Sequence, residues 1–129
     1  MANIQRVAVL GGGSFGTVLA NIAASNGYDV SLWVRDAEQA FRINSEGANS
    51  TYHPELKLSA NITASDDLQS VLLDSQYILV ATPSIIFEEV INRIEPYINS
   101  SIAVISCTKG IKAEPFRTMT DIINQHLSL

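Results

Sequence analysis

The run Gly11-Gly12-Gly13-Ser14-Phe15-Gly16 constrains this chain more than any other stretch, because of what stands on either side of it. Val7-Ala8-Val9-Leu10 before it is a short, wholly apolar run, the pattern of a strand buried on both faces. After it, Phe15, Leu19, Ile22 and Ala23 recur at steps of three and four, the pattern of a helix, which Asn26-Gly27 ends. A glycine triplet spaced G-x-G-x-x-G is common in turns, but between a buried strand and a helix it has a physical job. Gly11 permits the tight turn, Gly13 lets an anion approach the backbone, and Gly16 lets helix and strand pack closely. The helix N-terminus then offers unsatisfied N–H groups, among them those of Ser14 and Phe15, and partial positive charge to a phosphate.

The rest of the chain repeats the alternation. Strands are expected at Val30 to Val34, Ile62 to Ala64, Tyr77 to Ala81 and Ile102 to Cys107. Helices are expected from Asp36 to about Ser45, from Ser65 through Leu72, from Ile85 to Pro96, and from about Pro115 onward. Glu46 to Ser59 is polar and holds Gly47, Asn49 and Pro54, so it reads as a loop. Alternating strands and helices imply an α/β fold: a doubly wound parallel sheet of the Rossmann type, one domain spanning residues 1–129. Ligands of such sheets sit at the carboxyl ends of the strands. Attention therefore falls on Gly11–Gly16, Arg35, Thr82–Ser84 and Thr108–Gly110.

Composition narrows the ligand. With 129 residues, 47% of them hydrophobic and 16% charged, the chain is long and apolar enough to bury a core. Its net charge of −5 argues against a nucleic-acid partner held through its phosphates. Cys107 is the single cysteine, so no intrachain disulfide forms, which fits a reducing, cytoplasmic setting. No signal-peptide pattern opens the chain, and no apolar run approaches the ~20 residues of a membrane span. No His/Cys/carboxylate motif calls for a metal. A bound dinucleotide is the expectation.

Which dinucleotide turns on the end of the second strand. A carboxylate there bonds a ribose 2′-hydroxyl and favours NAD, whereas an arginine accommodates the 2′-phosphate of NADP. Val30-Ser31-Leu32-Trp33-Val34-Arg35-Asp36 ends on Arg35, which favours NADP(H). Asp36 is adjacent, and a slip of one residue would bring a carboxylate to the ribose, so NAD(H) stays open; its other role is a helix N-cap.

Taken together, Gly11 to Thr17, Leu32-Trp33-Val34-Arg35, Asn49 to Pro54, Asn61 to Ser65, Ala81 to Ser84 and Thr108-Lys109-Gly110-Ile111 resemble the start of bacterial NAD(P)-dependent glycerol-3-phosphate dehydrogenase. The blocks come in the family's order and span nearly the whole chain. The resemblance implies hydride transfer between a nicotinamide cofactor and the sn-glycerol 3-phosphate/dihydroxyacetone phosphate pair, feeding glycerophospholipid synthesis. It implies cofactor contacts at Ser14, Phe15, Arg35, Tyr52 and Lys109, with Lys109 also touching substrate. Lys109 has a physical case of its own, an ammonium beyond a strand end that steadies a phosphate; a solvated loop lysine is the plain alternative. Pro83 is either a wall beside the nicotinamide or simply the end of a strand, Tyr52 either a cofactor contact or loop packing. Cys107 reads as a small core residue. Asp36 departs from the family, where a second basic residue is frequent.

Members of that family carry a second, helical domain with the lysine that acts as general acid/base. The expectation is therefore a cofactor domain with no catalytic residue of its own, inactive in isolation and a possible homodimer. Two other readings stay open. One is a different Rossmann dehydrogenase of the ketopantoate or hydroxyacyl-CoA type, and the other is a non-catalytic nucleotide sensor or interaction module. The apolar residues of Phe116 to Leu129 form either a self-association surface or an ordinary core-facing helix.

Overall fold

A computed structural model describes residues 5–108, 110–113 and 116–127, with the backbone alone at 111–113 and 116. Strand β1 (Arg6–Leu10) leads through the glycine loop into α1 (Ser14–Ser25). Then come β2 (Asp29–Trp33), α2 (Ala37–Glu46), β3 (Ile62–Ser65), α3 (Leu68–Leu72) and β4 (Tyr77–Val80). The chain continues through α4 (Ser84–Ile94), a 3₁₀ turn at Glu95–Tyr97, β5 (Ala103–Ser106), a hairpin of β6 (Ile111–Ala113) and β7 (Phe116–Thr118), and α5 (Met119–His126).

The five strands β1 to β5 pair in parallel in the order β3-β2-β1-β4-β5, which is the Rossmann arrangement the alternation predicts. Pleating divides β1 between two cores. Val7 and Val9 face α1 and α2 with Val30, Leu32, Ala20, Ala24 and Ile43, while Ala8 and Leu10 face α3, α4 and α5 with Ile78, Val80, Phe87 and Ile91. Both faces are covered, which is why the strand reads as a continuous apolar run rather than an alternating one.

Helix ends follow local chemistry. Asp36 caps α2 by accepting the Glu38 N–H at 2.9 Å, and Gly47 closes the helix at φ 69°. Thr118 and Asp121 form a capping box on α5. The N–H and hydroxyl of Thr118 both act on Asp121, and they hold its carboxyl below the ordinary carboxylate range.

Two expectations change. The last helix starts at Met119 rather than near Pro115, because the chain first makes the β6–β7 hairpin, with Ile111 opposite Thr118. A pairing between segments separated by a turn leaves no periodic trace in the sequence. The fifth strand, as apolar as the first, is only half covered. At the sheet edge, Val104 packs toward α4 and α5, while Ala103 and Ile105 face a side with no described helix over them. The apolar side of α5 faces the core: Met119, Ile122, Ile123 and the following Leu127 are all buried. This decides for the core-facing helix over a self-association surface.

Phe87 is the largest fully buried side chain among the described residues and belongs to the α3/α4/α5 core. Replacing it by alanine opens a cavity there and is expected to lower unfolding stability by about 4 kcal/mol, read from urea or guanidinium melts.

Candidate functional site

The strand order reverses between β1 and β4: the chain moves outward through β2 and β3, then returns to pair β4 on the other side of β1. The crevice at such a point opens at the carboxyl ends of the strands. It is a cavity of about 650 Å³ here, within the range of small-molecule sites. Gly11 to Phe15 bound it after β1, Trp33 and Arg35 at the end of β2, Ala81 to Ser84 after β4, and Cys107 and Thr108 after β5. Gln39 of α2, Ile86 of α4 and Tyr52 of the loop between α2 and β3 complete it.

Each glycine of the loop has a separate role. Gly11 adopts φ 129°, and a Cβ there would stand 2.6 Å from the Ala81 carbonyl oxygen, so β1 and β4 close up only around a glycine. A Cβ on Gly16 would stand 1.8 Å from the Gly11 carbonyl oxygen, which lets the first turn of α1 rest on the end of β1. A Cβ on Gly13, by contrast, would meet nothing within 4 Å. Gly11 and Gly16 serve the fold, and the space at Gly13 is open.

Helix α1 begins at Gly13 with no side-chain cap, whereas α2 and α5 are capped by Asp36 and Thr118. Its first-turn N–H groups, on the cavity lining, are thus left for an outside acceptor. Helix α4 likewise starts uncapped after Pro83, on the same cavity. The carbonyls of the loop are turned away and tied down. Gly12 O accepts from Asn49 Nδ2 at 2.8 Å and from Gln39 Nε2 at 2.9 Å, and Gly13 O accepts from Thr17 Oγ1 at 2.7 Å. Asn49 Nδ2 also donates to Thr17 Oγ1 at 2.8 Å, and Gln39 Nε2 to Asn49 Oδ1 at 3.3 Å, so the buried amide of Asn49 is fully used.

Arg35 is the one charged side chain among the described residues lining the cavity, and it makes no ion pair among them. In a chain of net charge −5 the cavity is locally cationic, with two helix N-termini and no carboxylate on its described wall. Asp36 is committed to capping α2. Phe15 and Tyr52, 54% and 48% exposed, line the cavity with apolar ring faces held in solvent, a surface suited to a flat ring. Thr82 is buried on the wall, and its hydroxyl has no hydrogen-bond partner among the described residues. Pro83 stands three residues past the end of β4, at the start of α4, and forms part of the wall. Cys107 is half-buried and lines the cavity instead of filling the core; burial pushes its thiol up from the usual range.

The structure therefore brings Gly11, Gly13, Ser14, Phe15, Arg35, Tyr52 and Pro83 onto one cavity, with Gly16 immediately behind them. Lys109 lies outside the described residues. Beside it, Thr108 is anchored through its hydroxyl to Val80 O at 3.1 Å and Thr82 O at 2.8 Å, and Gly110 sits where a Cβ would come within 2.7 Å of Ser84 Cβ. Sequence reasoning missed the roles of Gln39, Asn49 and His53, which touch the glycine loop across 27, 37 and 39 positions. Asn49 and His53 fall in the polar Glu46–Ser59 loop and in the Asn49-to-Pro54 block, whereas nothing in the sequence singled out Gln39.

Residues 6–129 match the family model described as the N-terminus of NAD-dependent glycerol-3-phosphate dehydrogenase. The chain is 48% identical over 122 residues to glycerol-3-phosphate dehydrogenase [NAD(P)+] of Acinetobacter baumannii, an alignment covering 95% of this chain and 34% of that protein. It is 43% identical over 127 residues to the enzyme of the same name from Teredinibacter turnerae, covering 98% and 37%. The crystal structure of glycerol-3-phosphate dehydrogenase from Coxiella burnetii superposes with a TM-score of 0.90 at 31% identity, over 98% of this chain and 38% of that one. The chain thus spans about a third of the length of the curated relatives it matches.

The glycine geometry gives opposite expectations for two alanine variants. Gly16→Ala forces Cβ against a backbone oxygen and is expected to cost about 3 kcal/mol or more of stability. Gly13→Ala is expected to leave the denaturation midpoint within about 0.5 kcal/mol of the parent in terms of stability. Paired chemical melts check both.

Proposed function

Since the chain belongs to the family of the NAD-dependent glycerol-3-phosphate dehydrogenase N-terminus, we propose that it is the cofactor-holding part of such an enzyme and that the cavity at the β1/β4 switch takes NAD(P)H. The observation that carries this reading is the uncapped start of α1, with its loop carbonyls tied back by Asn49, Gln39 and Thr17. N–H groups without a partner, aimed where no side chain competes, are what a diphosphate requires. The residues present fit the cofactor. Ser14 and Phe15 offer backbone N–H groups, Gly13 leaves room for the phosphates, Tyr52 and Phe15 offer ring faces, and Pro83 and the unpartnered Thr82 hydroxyl flank the far end. Lys109, from its position in the family's pattern, would contact cofactor and substrate.

Arg35 favours NADP(H). Its guanidinium makes no ion pair among the described residues and lies just past β2, suited to bidentate recognition of a 2′-phosphate. Asp36, spent on the α2 cap, is not offered to a ribose. The bound cofactor supplies the hydride, and the whole protein interconverts sn-glycerol 3-phosphate and dihydroxyacetone phosphate for glycerophospholipid synthesis in the cytoplasm. Carbonyl reduction also needs a proton donor. None of the described side chains on the cavity wall is a lysine, histidine, aspartate or glutamate. In this reading the 129-residue chain holds the cofactor and does not by itself turn it over.

Calorimetric or fluorescence titration of the chain with NADPH and NADH tests the reading. NADPH is expected to bind more tightly, and Arg35→Ala to remove about tenfold of its affinity while leaving NADH unchanged. Absence of binding by either nucleotide would overturn the cofactor reading. Equal binding of the two by the unsubstituted chain would overturn the role of Arg35 alone. In the same preparation, oxidation of NADPH driven by dihydroxyacetone phosphate should be undetectable.

A further inference from the structure

His53 stands in the loop between α2 and β3, far from the glycine loop in sequence, yet its Nε2 lies 2.9 Å from Ser14 Oγ and 3.1 Å from Ser14 O. The backbone that carries the ring is tied to the same network. The His53 N–H donates to Asn49 O at 2.8 Å, and Asn49 is the buried amide that holds Gly12 O and Thr17. One assignment satisfies both contacts of Nε2. A carbonyl oxygen carries no hydrogen, so the 3.1 Å approach to Ser14 O is a hydrogen bond only when Nε2 is the donor. That holds for the neutral Nε2–H tautomer and for the imidazolium alike. With its single N–H shared between the two oxygens, Nε2 has no lone pair to offer, and Ser14 Oγ is an acceptor in this pair. The hydroxyl hydrogen of Ser14 is then left over. No described residue takes it, and Ser14 lies on the cavity at the uncapped first turn of α1.

We propose that His53 is a positioning residue of the diphosphate subsite: by donating to Ser14 Oγ and Ser14 O together, it orients the Ser14 hydroxyl so that its hydrogen is directed at a phosphate oxygen. This rests on the NAD(P)H reading of the cavity and deepens it. The hydroxyl adds a donor to the backbone N–H groups of the same turn, and it is held in place before the ligand arrives. The hydrogen bond it makes to an anion is of the charge-assisted kind. Without the imidazole, Ser14 Oγ is a free rotor whose hydrogen has other acceptors within reach, among them the backbone carbonyls that helical serines commonly use.

A second role for His53, as a mere staple between two loops, predicts different behaviour. The contact with Ser14 O survives removal of the Ser14 hydroxyl, so a staple would matter equally in a Ser14→Ala background. Orientation of the hydroxyl would not. NADPH titrations of the chain and its His53→Leu, Ser14→Ala and doubly substituted forms separate the two. His53→Leu is expected to weaken binding about tenfold, and to cause no further loss once Ser14 is alanine. His53→Gln, whose carboxamide N–H can replace the imidazole donor, is expected to recover most of the loss. A His53→Leu variant that binds like the parent, or losses that multiply in the double variant, would sink the proposal while leaving the cofactor reading intact. Failure of the parent chain to bind NADPH at all would overturn both. The ¹⁵N shifts of the His53 ring in the parent chain give a readout independent of any variant: a proton on Nε2 is expected, and an Nδ1–H tautomer with bare Nε2 overturns the inference even if His53→Leu fails to fold.

Discussion

Everything at the mouth of the sheet depends on backbone meeting backbone without a side chain between. Gly16 rests on the Gly11 carbonyl, and Gly11 rests on the Ala81 carbonyl, at separations no Cβ tolerates. These two approaches bring α1 down onto β1 and draw β4 against β1 at their carboxyl ends. The first-turn N–H groups of α1 thereby stand at the mouth of the β1/β4 crevice and not above it. Close packing here is a requirement of the site as much as of the core.

The glycines alone would leave a loop free to rotate its peptide units. A second layer prevents this. Asn49, Gln39 and Thr17 take up the carbonyls of Gly12 and Gly13 from behind, which leaves the N–H side of the loop facing the cavity. The long loop between α2 and β3 thus has a structural purpose, and it is anchored accordingly. Leu58 N–H donates to Gly47 O at 2.8 Å across its base, and Leu58 itself is buried in the α1/α2 core. It then delivers Asn49, Tyr52 and His53 to one side of the glycine loop. Electrostatics follow from the same layout, since an acidic chain presents Arg35 and two open helix N-termini to a single crevice.

Much of this was legible in residues 1–129. The buried strands β1 and β4 announce themselves as apolar runs because both their faces are covered, and Gly11 and Gly16 mark the turn because no Cβ fits at either. Arg35 could be located by counting past the glycine loop, since strand β2 has a defined length. Other parts were illegible for definite reasons. The β6–β7 hairpin depends on pairing between two segments, each too short to show a period. Strand β5 has the composition of a central strand, and only its place at the sheet edge explains the exposure of Ile105. Cys107 looked like core and proved to be cavity wall, because a strand end in this fold belongs to the crevice.

The sequence by itself determined the class of fold, the glycine loop and the family, since each rests on local spacing: apolar period, glycine position and short blocks in order. Tertiary structure alone decided which side chains stand behind that loop. Asn49 and His53 reach it from nearly 40 positions away, and hydrogen bonds of that span are made by topology, not by any pattern a neighbour imposes. It also set Arg35 and Asp36 apart, for adjacent residues past a strand end point in different directions. Asp36 caps a helix, and Arg35 is left facing the cavity.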